Sequence, residues 1–289
     1  MTKLLTTAFN LEKQTWTWDG HSIQYSVTGQ GKPLLLIHGF GASIGHWRKN
    51  IAVLASGGYR VYAIDLLGFG GSDKAPLSYS LELWQAQIKA FWDSHIQEKT
   101  VFIGNSIGGL LVLMLMSEYP EITDGGILIN SAGGLNHRPE ELNLPLRLVM
   151  GTFTKLVNSP IIGKWLFDLI RQKGRIRQTL YQVYCDPQAV TDELVELLYE
   201  PSNDPNAQKV FASVLTAPPG PRPAELLEKI KQPLLVLWGD KDPWTPIRGA
   251  KIYQENAQIE FSVIEGAGHC PHDENPEEVN EKILQWLKK

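Results

Sequence analysis

Short apolar runs alternate along this chain with longer segments whose apolar residues recur at helical spacing. The runs Pro33–Ile37, Val61–Ile64, Val101–Ile103, Ile127–Ile129, Leu234–Trp238 and Phe261–Ile264 are unbroken, or nearly so. Continuous apolar character over so few residues is the pattern of a strand covered on both faces. Ahead of all of them, Trp16–Trp18 and Ser22–Val27 flank Asp19-Gly20, a pair suited to a tight turn, and predict an opening hairpin. Between the runs, Leu81, Trp84, Ile88, Phe91 and Trp92 share one helical face behind Ser80, a plausible N-cap. Ile107, Leu110, Leu111, Met114 and Leu115 keep the same spacing while Val112, Leu113 and Met116 fill the other side, which predicts a helix buried all round. The last helix opens on Asn275-Pro276-Glu277-Glu278, with an N-cap residue, Pro at N1 and Glu at N3. Its apolar face is Val279, Ile283, Trp286 and Leu287. Strand and helix in alternation predict a mostly parallel sheet flanked by helices.

The alternation stops between about Leu135 and Ile230. Leu144–Val157, Ile161–Arg171, Ile176–Val183 and Thr191–Leu198 read as successive helices, ending near the breaker run Ala217-Pro218-Pro219-Gly220-Pro221. An insertion of roughly a hundred residues is rarely plain loop. Residues 135–230 are therefore expected to form a helical cap over an α/β core made of residues 1–134 and 231–289.

Composition changes this picture only by exclusion. With 43% hydrophobic and 20% charged residues, the 289-residue chain has the make-up of an ordinary globular protein and enough length for a large core. Its 27 basic and 31 acidic side chains leave a net charge of −4, with no block of Lys and Arg, so nucleic acid is not an expected partner. The longest strongly apolar stretch, Leu110–Met116, falls far short of the ~18–20 residues of a membrane span. Residues 1–10 lack the apolar stretch of a secretory signal. Cys185 and Cys270 match no zinc or redox spacing and are expected to be free thiols. These features point to a cytoplasmic protein with no transmembrane segment, which leaves room for peripheral contact with a membrane.

The chemistry is concentrated where strands end. Gly104-Asn105-Ser106-Ile107-Gly108 lies at the junction of a buried strand and a buried helix, the context in which G-x-S-x-G marks a nucleophile. A tight turn there lifts the Ser106 hydroxyl to a helix N-terminus, where free N–H groups favour developing negative charge. A serine needs a base to take its proton and a carboxylate to orient that base, which in this context follow in the order Ser, acid, His. The strand at Leu234–Trp238 runs into Gly239-Asp240-Lys241-Asp242-Pro243, and that at Phe261–Ile264 into Glu265-Gly266-Ala267-Gly268-His269. Asp242 and Asp240 compete for the acid. Asp242 is favoured because its loop reaches further from the strand and Pro243 stiffens it. His269 is the expected base, with His272 its rival in the same loop. A metal pair of His269 and His272 would lack a third ligand cluster. Asn130, at the other position where an acid could stand, is an amide and cannot serve. Asp65 and Asp73, around Gly68-Phe69-Gly70-Gly71, read as turn-formers. The backbone N–H groups of Ile107 and of Phe40, in the loop His38-Gly39-Phe40-Gly41, are the expected oxyanion donors, and His38 reads as a side chain that holds that loop. This chemistry calls for no metal and no cofactor.

HGFG at 38–41, DLLGFGGSD at 65–73, GNSIGG at 104–109, LWGDKDPW at 237–244 and GAGH at 266–269 together resemble the α/β-hydrolase fold family over nearly the whole chain. The resemblance implies an eight-stranded sheet with a lid inserted before the acid-bearing strand, and a triad of Ser106, Asp242 and His269. A serine nucleophile sets the chain apart from the haloalkane dehalogenase and epoxide hydrolase branches. GDKDPWTPIRGAKIY, GAGHCPHDENPEEVN and the segment Lys164–Tyr184 are similar to the pheophytinase and chlorophyll dephytylase branch, which hydrolyses the phytyl ester of chlorophyll pigments. That similarity implies a hydrophobic ester substrate, although an apolar lid by itself would pack on any sheet. GNSIGG also resembles carbon–carbon bond hydrolases of vinylogous diketone acids, which carry a lid arginine. Arg147, Arg171, Arg175 and Arg177 are available for that role. A third reading is a non-turnover ligand receptor on the same scaffold.

Overall fold

The computed structural model describes residues 11–136, 138, 154, 156, 157, 159 and 161–289. Eight strands form one sheet: β1 (Lys13–Trp18), β2 (His21–Thr28), β3 (Lys32–Ile37), β4 (Tyr59–Ile64), β5 (Thr100–Asn105), β6 (Thr123–Ile129), β7 (Leu234–Gly239) and β8 (Ile259–Ile264). Their spatial order is β1-β2-β4-β3-β5-β6-β7-β8. β1 and β2 form the expected hairpin, and β2 is also antiparallel to β4. From β4 to β8 every pairing is parallel.

Alternation along the central strands separates two cores. Leu34 and Leu36 of β3 face one layer with α1 (Ile51–Ser56) and the C-terminal helix, whereas Leu35 and Ile37 face the other. That second layer holds α2 (Leu81–Phe91) and α3 (Ile107–Glu118). Ser80 caps α2 by accepting from the Leu83 N–H at 3.2 Å. In α3 every residue from Ile107 to Met116 is buried, as its all-round apolar pattern predicts.

Among the described residues no strand lies between β6 and β7. The chain there forms α4 (Ile162–Ile170), α5 (Lys173–Val183), α6 (Asp192–Tyr199), α7 (Ala207–Leu215) and α8 (Pro223–Leu227). Three of these match expected helices. α7 and α8 were not expected, and α8 begins at Pro223, just beyond the breaker run. The helix expected over Leu144–Val157 lies outside the described residues except for Thr154, Leu156 and Val157, which are helical. Leu180, Val183, Tyr184, Leu194 and Val195 build a small core of their own that extends to Cys270 of the α/β layer.

The chain closes with α9 (Lys251–Gln254), α10 (Pro271–Glu274) and α11 (Pro276–Trp286). The expected cap of α11 needs correcting. Asn275 occupies the N-cap position but makes no capping hydrogen bond, because the turn of α10 immediately before it holds its backbone at φ −121° and ψ 57°.

Candidate active site

Three of the expected site residues follow the carboxyl ends of parallel strands of the sheet, where ligands meet open α/β sheets. Ser106 follows β5, Asp242 follows β7 and His269 follows β8. Ser106 has φ 56° and ψ −119°, a conformation rarely adopted by residues other than glycine and worth of order 1–3 kcal/mol of strain. Its neighbours explain how the turn fits. A Cβ on Gly104 would stand 2.2 Å from the Gly108 backbone, and one on Gly108 would stand 2.2 Å from the Ile37 carbonyl oxygen. The glycines of the motif are therefore a steric requirement of strand, turn and helix passing so close together.

The expected acid and the expected base are joined. His269 Nδ1 lies 2.7 Å from Asp242 Oδ2, and both side chains are buried. A carboxylate can only accept, so the proton sits on Nδ1 and Nε2 is left as the basic nitrogen. Asp242 is the most heavily supported carboxylate of the site. Its Oδ1 accepts from the N–H groups of Trp244 and Thr245 at 2.7 and 3.0 Å, and its Oδ2 from Asn130 Nδ2 at 2.7 Å and from the Thr245 hydroxyl. Burial pushes its pKa up, but the hydrogen bonds from His269 and Thr245 outweigh that and hold it below the ordinary carboxylate value. Asp240 is elsewhere: it pairs with Lys241 at 2.8 Å and accepts from the Gly266 N–H at 2.7 Å.

Ser106 and His269 both line one cavity of about 260 Å³, although no hydrogen bond joins the Ser106 hydroxyl to His269 in this state. Gly39 and Phe40 line it too. Among the described residues the backbone N–H groups of Phe40 and Ile107 have no acceptor. The loop that carries Phe40 is held by His38. The Leu66 N–H donates to His38 Nε2 at 3.0 Å, so Nδ1 carries the proton and donates to the Gly39 carbonyl at 2.7 Å. Burial lowers the His38 pKa and keeps this pattern neutral.

Much of the remaining wall is apolar and comes from the inserted helices, with Phe167, Ile176, Leu180, Val183, Val210 and Phe211 among them. Of the candidate arginines, Arg171 reaches the cavity, while its guanidinium also bonds Asp168 at 2.9 Å and Asn203 at 2.8 Å. Arg175 and Arg177 do not line it, and Arg147 lies outside the described residues. His272 is buried between His46 and Trp47, away from the cavity lining, with neither ring nitrogen hydrogen-bonded. Burial drives its pKa well below the usual histidine value. Cys185 and Cys270 are free thiols, and among the described residues no group of three or more His, Cys, Asp or Glu side chains clusters as metal ligands would. Asp65 and Asp73 do more than shape their own loop: Asp65 accepts from the Gly71 N–H within it and from that of Ile44, 21 residues away, and Asp73 accepts from the Ser22 N–H, 51 residues away.

Several supporting residues escaped the sequence reading. Asn130, set aside because an amide cannot replace the acid, instead buttresses it. Its Oδ1 accepts from the Gly239 N–H at 2.9 Å while its amide donates to Asp242. Asn105 donates to the His269 carbonyl at 3.0 Å and ties the serine strand to the histidine loop. The His269 N–H in turn donates to the Val183 carbonyl at the end of α5. Asp242 and Thr245, three residues apart, form a local side-chain turn that the sequence offers as a signal. Asp242 and His269, which Asn130 and Asn105 contact, are more than a hundred residues away from them and left none.

The α/β-hydrolase family model matches residues 34–282. Pheophytinase of Arabidopsis thaliana, a chloroplast protein, is 30% identical over 88% of this chain, but the chain spans only 61% of that relative's length. A 2-hydroxy-6-oxo-6-phenylhexa-2,4-dienoate hydrolase of Burkholderia cepacia is 29% identical over 92% of this chain and 91% of its own. The structure of a meta-cleavage product hydrolase from Pseudomonas fluorescens IP01 matches with a TM-score of 0.74 at 24% identity, covering 96% of this chain and 98% of that one. On the family model, the sheet order and the placement of these residues, the chain belongs to the alpha/beta hydrolase family.

Proposed function

We propose that the protein is a serine hydrolase of hydrophobic carboxylic esters, with Ser106 as nucleophile, His269 as general base and Asp242 as its orienting carboxylate. What carries this reading is the pairing of an oriented imidazole with a strained, helix-terminal serine on one largely apolar cavity. His269 Nε2 takes the Ser106 proton as the hydroxyl oxygen attacks the ester carbonyl. The Phe40 and Ile107 N–H groups stabilise the oxyanion, each worth about 2.7–4 kcal/mol to the transition state. The tetrahedral adduct collapses, the C–O bond breaks and His269 returns the proton to the leaving alcohol. Water, deprotonated by His269, then attacks the acyl-enzyme and restores the serine. No cofactor enters the sequence. Residues 135–230 act as the lid over this site, and α4 to α7 supply the wall against which the apolar group of the substrate rests.

The similarity to pheophytinase favours a phytyl ester of a chlorophyll-type pigment as substrate. The test is chromatographic. Wild type and Ser106→Ala are incubated with detergent-solubilised pheophytin and chlorophyll, with a short activated ester in parallel. Phytol release by wild type, reduced about 10⁴–10⁶-fold in the variant, is the expected outcome. Undiminished hydrolysis in the variant would sink the nucleophile. Cleavage of the short ester without phytol release would leave the esterase and remove the pigment.

One observation favours a second reading. Arg171 lies in the cavity wall, where an arginine could receive the carboxylate of a vinylogous diketone acid, and the 29% identical relative is a hydrolase named for such a compound. A diketone acid in the same assay decides between the two. Slow single turnover with large thermal stabilisation by ligand would instead indicate a receptor.

A further inference from the structure

His269 owes its place to ties on the backbone around it. Its N–H donates to the Val183 carbonyl at 2.8 Å, and its own carbonyl accepts from Asn105 Nδ2 at 3.0 Å. A further tie holds the residue before it: the Gly268 N–H donates to Glu274 Oε2 at 2.7 Å. Glu274 is the last residue of α10, and its other oxygen, Oε1, accepts from the Asp186 N–H. One carboxylate therefore spans two segments, the loop that carries His269 and the chain that leaves α5.

Those segments lie against each other. A Cβ on Gly268 would stand 2.0 Å from the Val183 carbonyl oxygen and 3.1 Å from the Cys185 nitrogen, so the approach is open only to glycine. The same stretch of chain belongs to the substrate cavity. Leu180, Val183 and Tyr184 line it, and Cys185 and Asp186 follow directly. Glu274 thus holds together the backbone of the base and a piece of the cavity wall.

Its surroundings are not those of a surface acid. Glu274 is half-buried and faces backbone N–H groups. Burial raises its pKa although the backbone donors favour the charged form. With the folded pKa above the unfolded one, the ionised group detracts from stability at neutral pH, so strengthening the fold does not explain its place. Geometry does. Proton transfer from Ser106 needs the imidazole within hydrogen-bond reach, and a misplacement of about 1 Å can cost 10²-fold in rate.

We propose that Glu274 is a positioning residue for His269: by bridging the Gly268 and Asp186 N–H groups, it fixes the base against the wall of the substrate cavity. The inference rests on the reading of His269 as general base. Span matters here as much as charge, since each carboxylate oxygen serves a different N–H. Glutamine turns its NH₂ toward one of the two donors whichever way it is placed. Aspartate keeps the charge but, one methylene shorter, does not reach both.

The test is steady-state hydrolysis of a short activated ester by wild type, Glu274→Gln, Glu274→Asp and His269→Ala. Rates are expressed per folded protein, with the folded fraction read by circular dichroism. Both Glu274 variants are expected to lose at least tenfold in kcat and to keep KM within about threefold, because acylation and deacylation both draw on His269. His269→Ala is expected to lose about 10⁴-fold or more. Wild-type turnover by Glu274→Asp would show that charge rather than span matters, and would overturn the proposal. So would a rise in KM at unchanged kcat, or a loss of rate that vanishes once the folded fraction is counted. Unchanged kcat in both Glu274 variants, with His269→Ala inactive, would remove the positioning role and leave the base. Activity retained by His269→Ala would remove both.

Discussion

At the scale of single residues, the site depends on the five hydrogen bonds that converge on Asp242. Backbone donors hold one carboxylate oxygen and side chains hold the other, so the lone pair left for His269 points in one direction. Asp242→Asn presents an amide that can offer His269 a donor and favour the wrong tautomer, and its expected cost is about 10⁴-fold in kcat. Asp240→Asn removes a half-buried partner of Lys241 that lies apart from His269 and is expected to change the rate by a few-fold at most. Ester-hydrolysis kinetics on the two variants decide the matter, and the reverse ranking would reassign the acid. Asn130→Ala tests the buttress. It strips a donor from a buried carboxylate and an acceptor from the Gly239 N–H, and about 1–3 kcal/mol of stability should go with it. Urea unfolding of this variant at wild-type stability would show the amide to be incidental.

At the scale of elements, the serine turn exists because β5, α3 and the end of β3 approach one another where side chains would collide. Gly108→Ala places a methyl 2.2 Å from the Ile37 carbonyl oxygen, and neither backbone segment can yield, so destabilisation of several kcal/mol is expected. Gly249→Ala is the control: nothing lies within 4 Å of the position its Cβ would take, and its effect should fall within about 0.5 kcal/mol. Thermal melts of the two variants are the measurement, and a Gly108→Ala variant as stable as wild type would contradict the steric account. These strands and this turn were legible in the sequence because their causes are local. Apolar runs, a capping Ser80 and a G-x-S-x-G at a strand end act over a few residues. The missing cap at Asn275 shows the limit: its residue type was right, but the preceding turn of α10 took the backbone out of capping geometry.

At the scale of the molecule, the inserted helices and the core are joined through buried titratable groups. The Tyr184 hydroxyl, at the end of α5, donates to Asp273 Oδ2 at 2.8 Å and accepts from His46 Nε2 at 2.8 Å, while Arg48 pairs with Asp273 at 2.9 Å. Burial, helped by Arg48, holds the His46 pKa down to about 4 even though Asp273 pulls it upward, and burial likewise depresses His272 and His38. Each of these histidines has a folded pKa below its unfolded value of about 6.5. The unfolded chain therefore binds more protons between the two values, and stability rises with pH through that window. Stability is full above about pH 6.5 and falls as the pH drops toward 4, with His46 alone contributing about 3 kcal/mol once fully charged. The urea midpoint should be lower at pH 5 than at pH 7, and equal midpoints would show that these histidines are not buried neutral in solution.

The sheet, its flanking helices and the candidacy of Ser106, Asp242 and His269 were all readable from the amino-acid order, because hydrophobic periodicity and short motifs reflect forces between near neighbours. Packing between distant segments, invisible in the sequence, sets Asn130 against Asp242 and lets Asn105 tie two strand ends together. It also decided that Arg171, unlike Arg175 and Arg177, reaches the cavity. Those are facts of packing between segments far apart in the chain. No local pattern encodes them, since the same side chain at the same spacing serves a core, a cavity or a surface according to what folds against it.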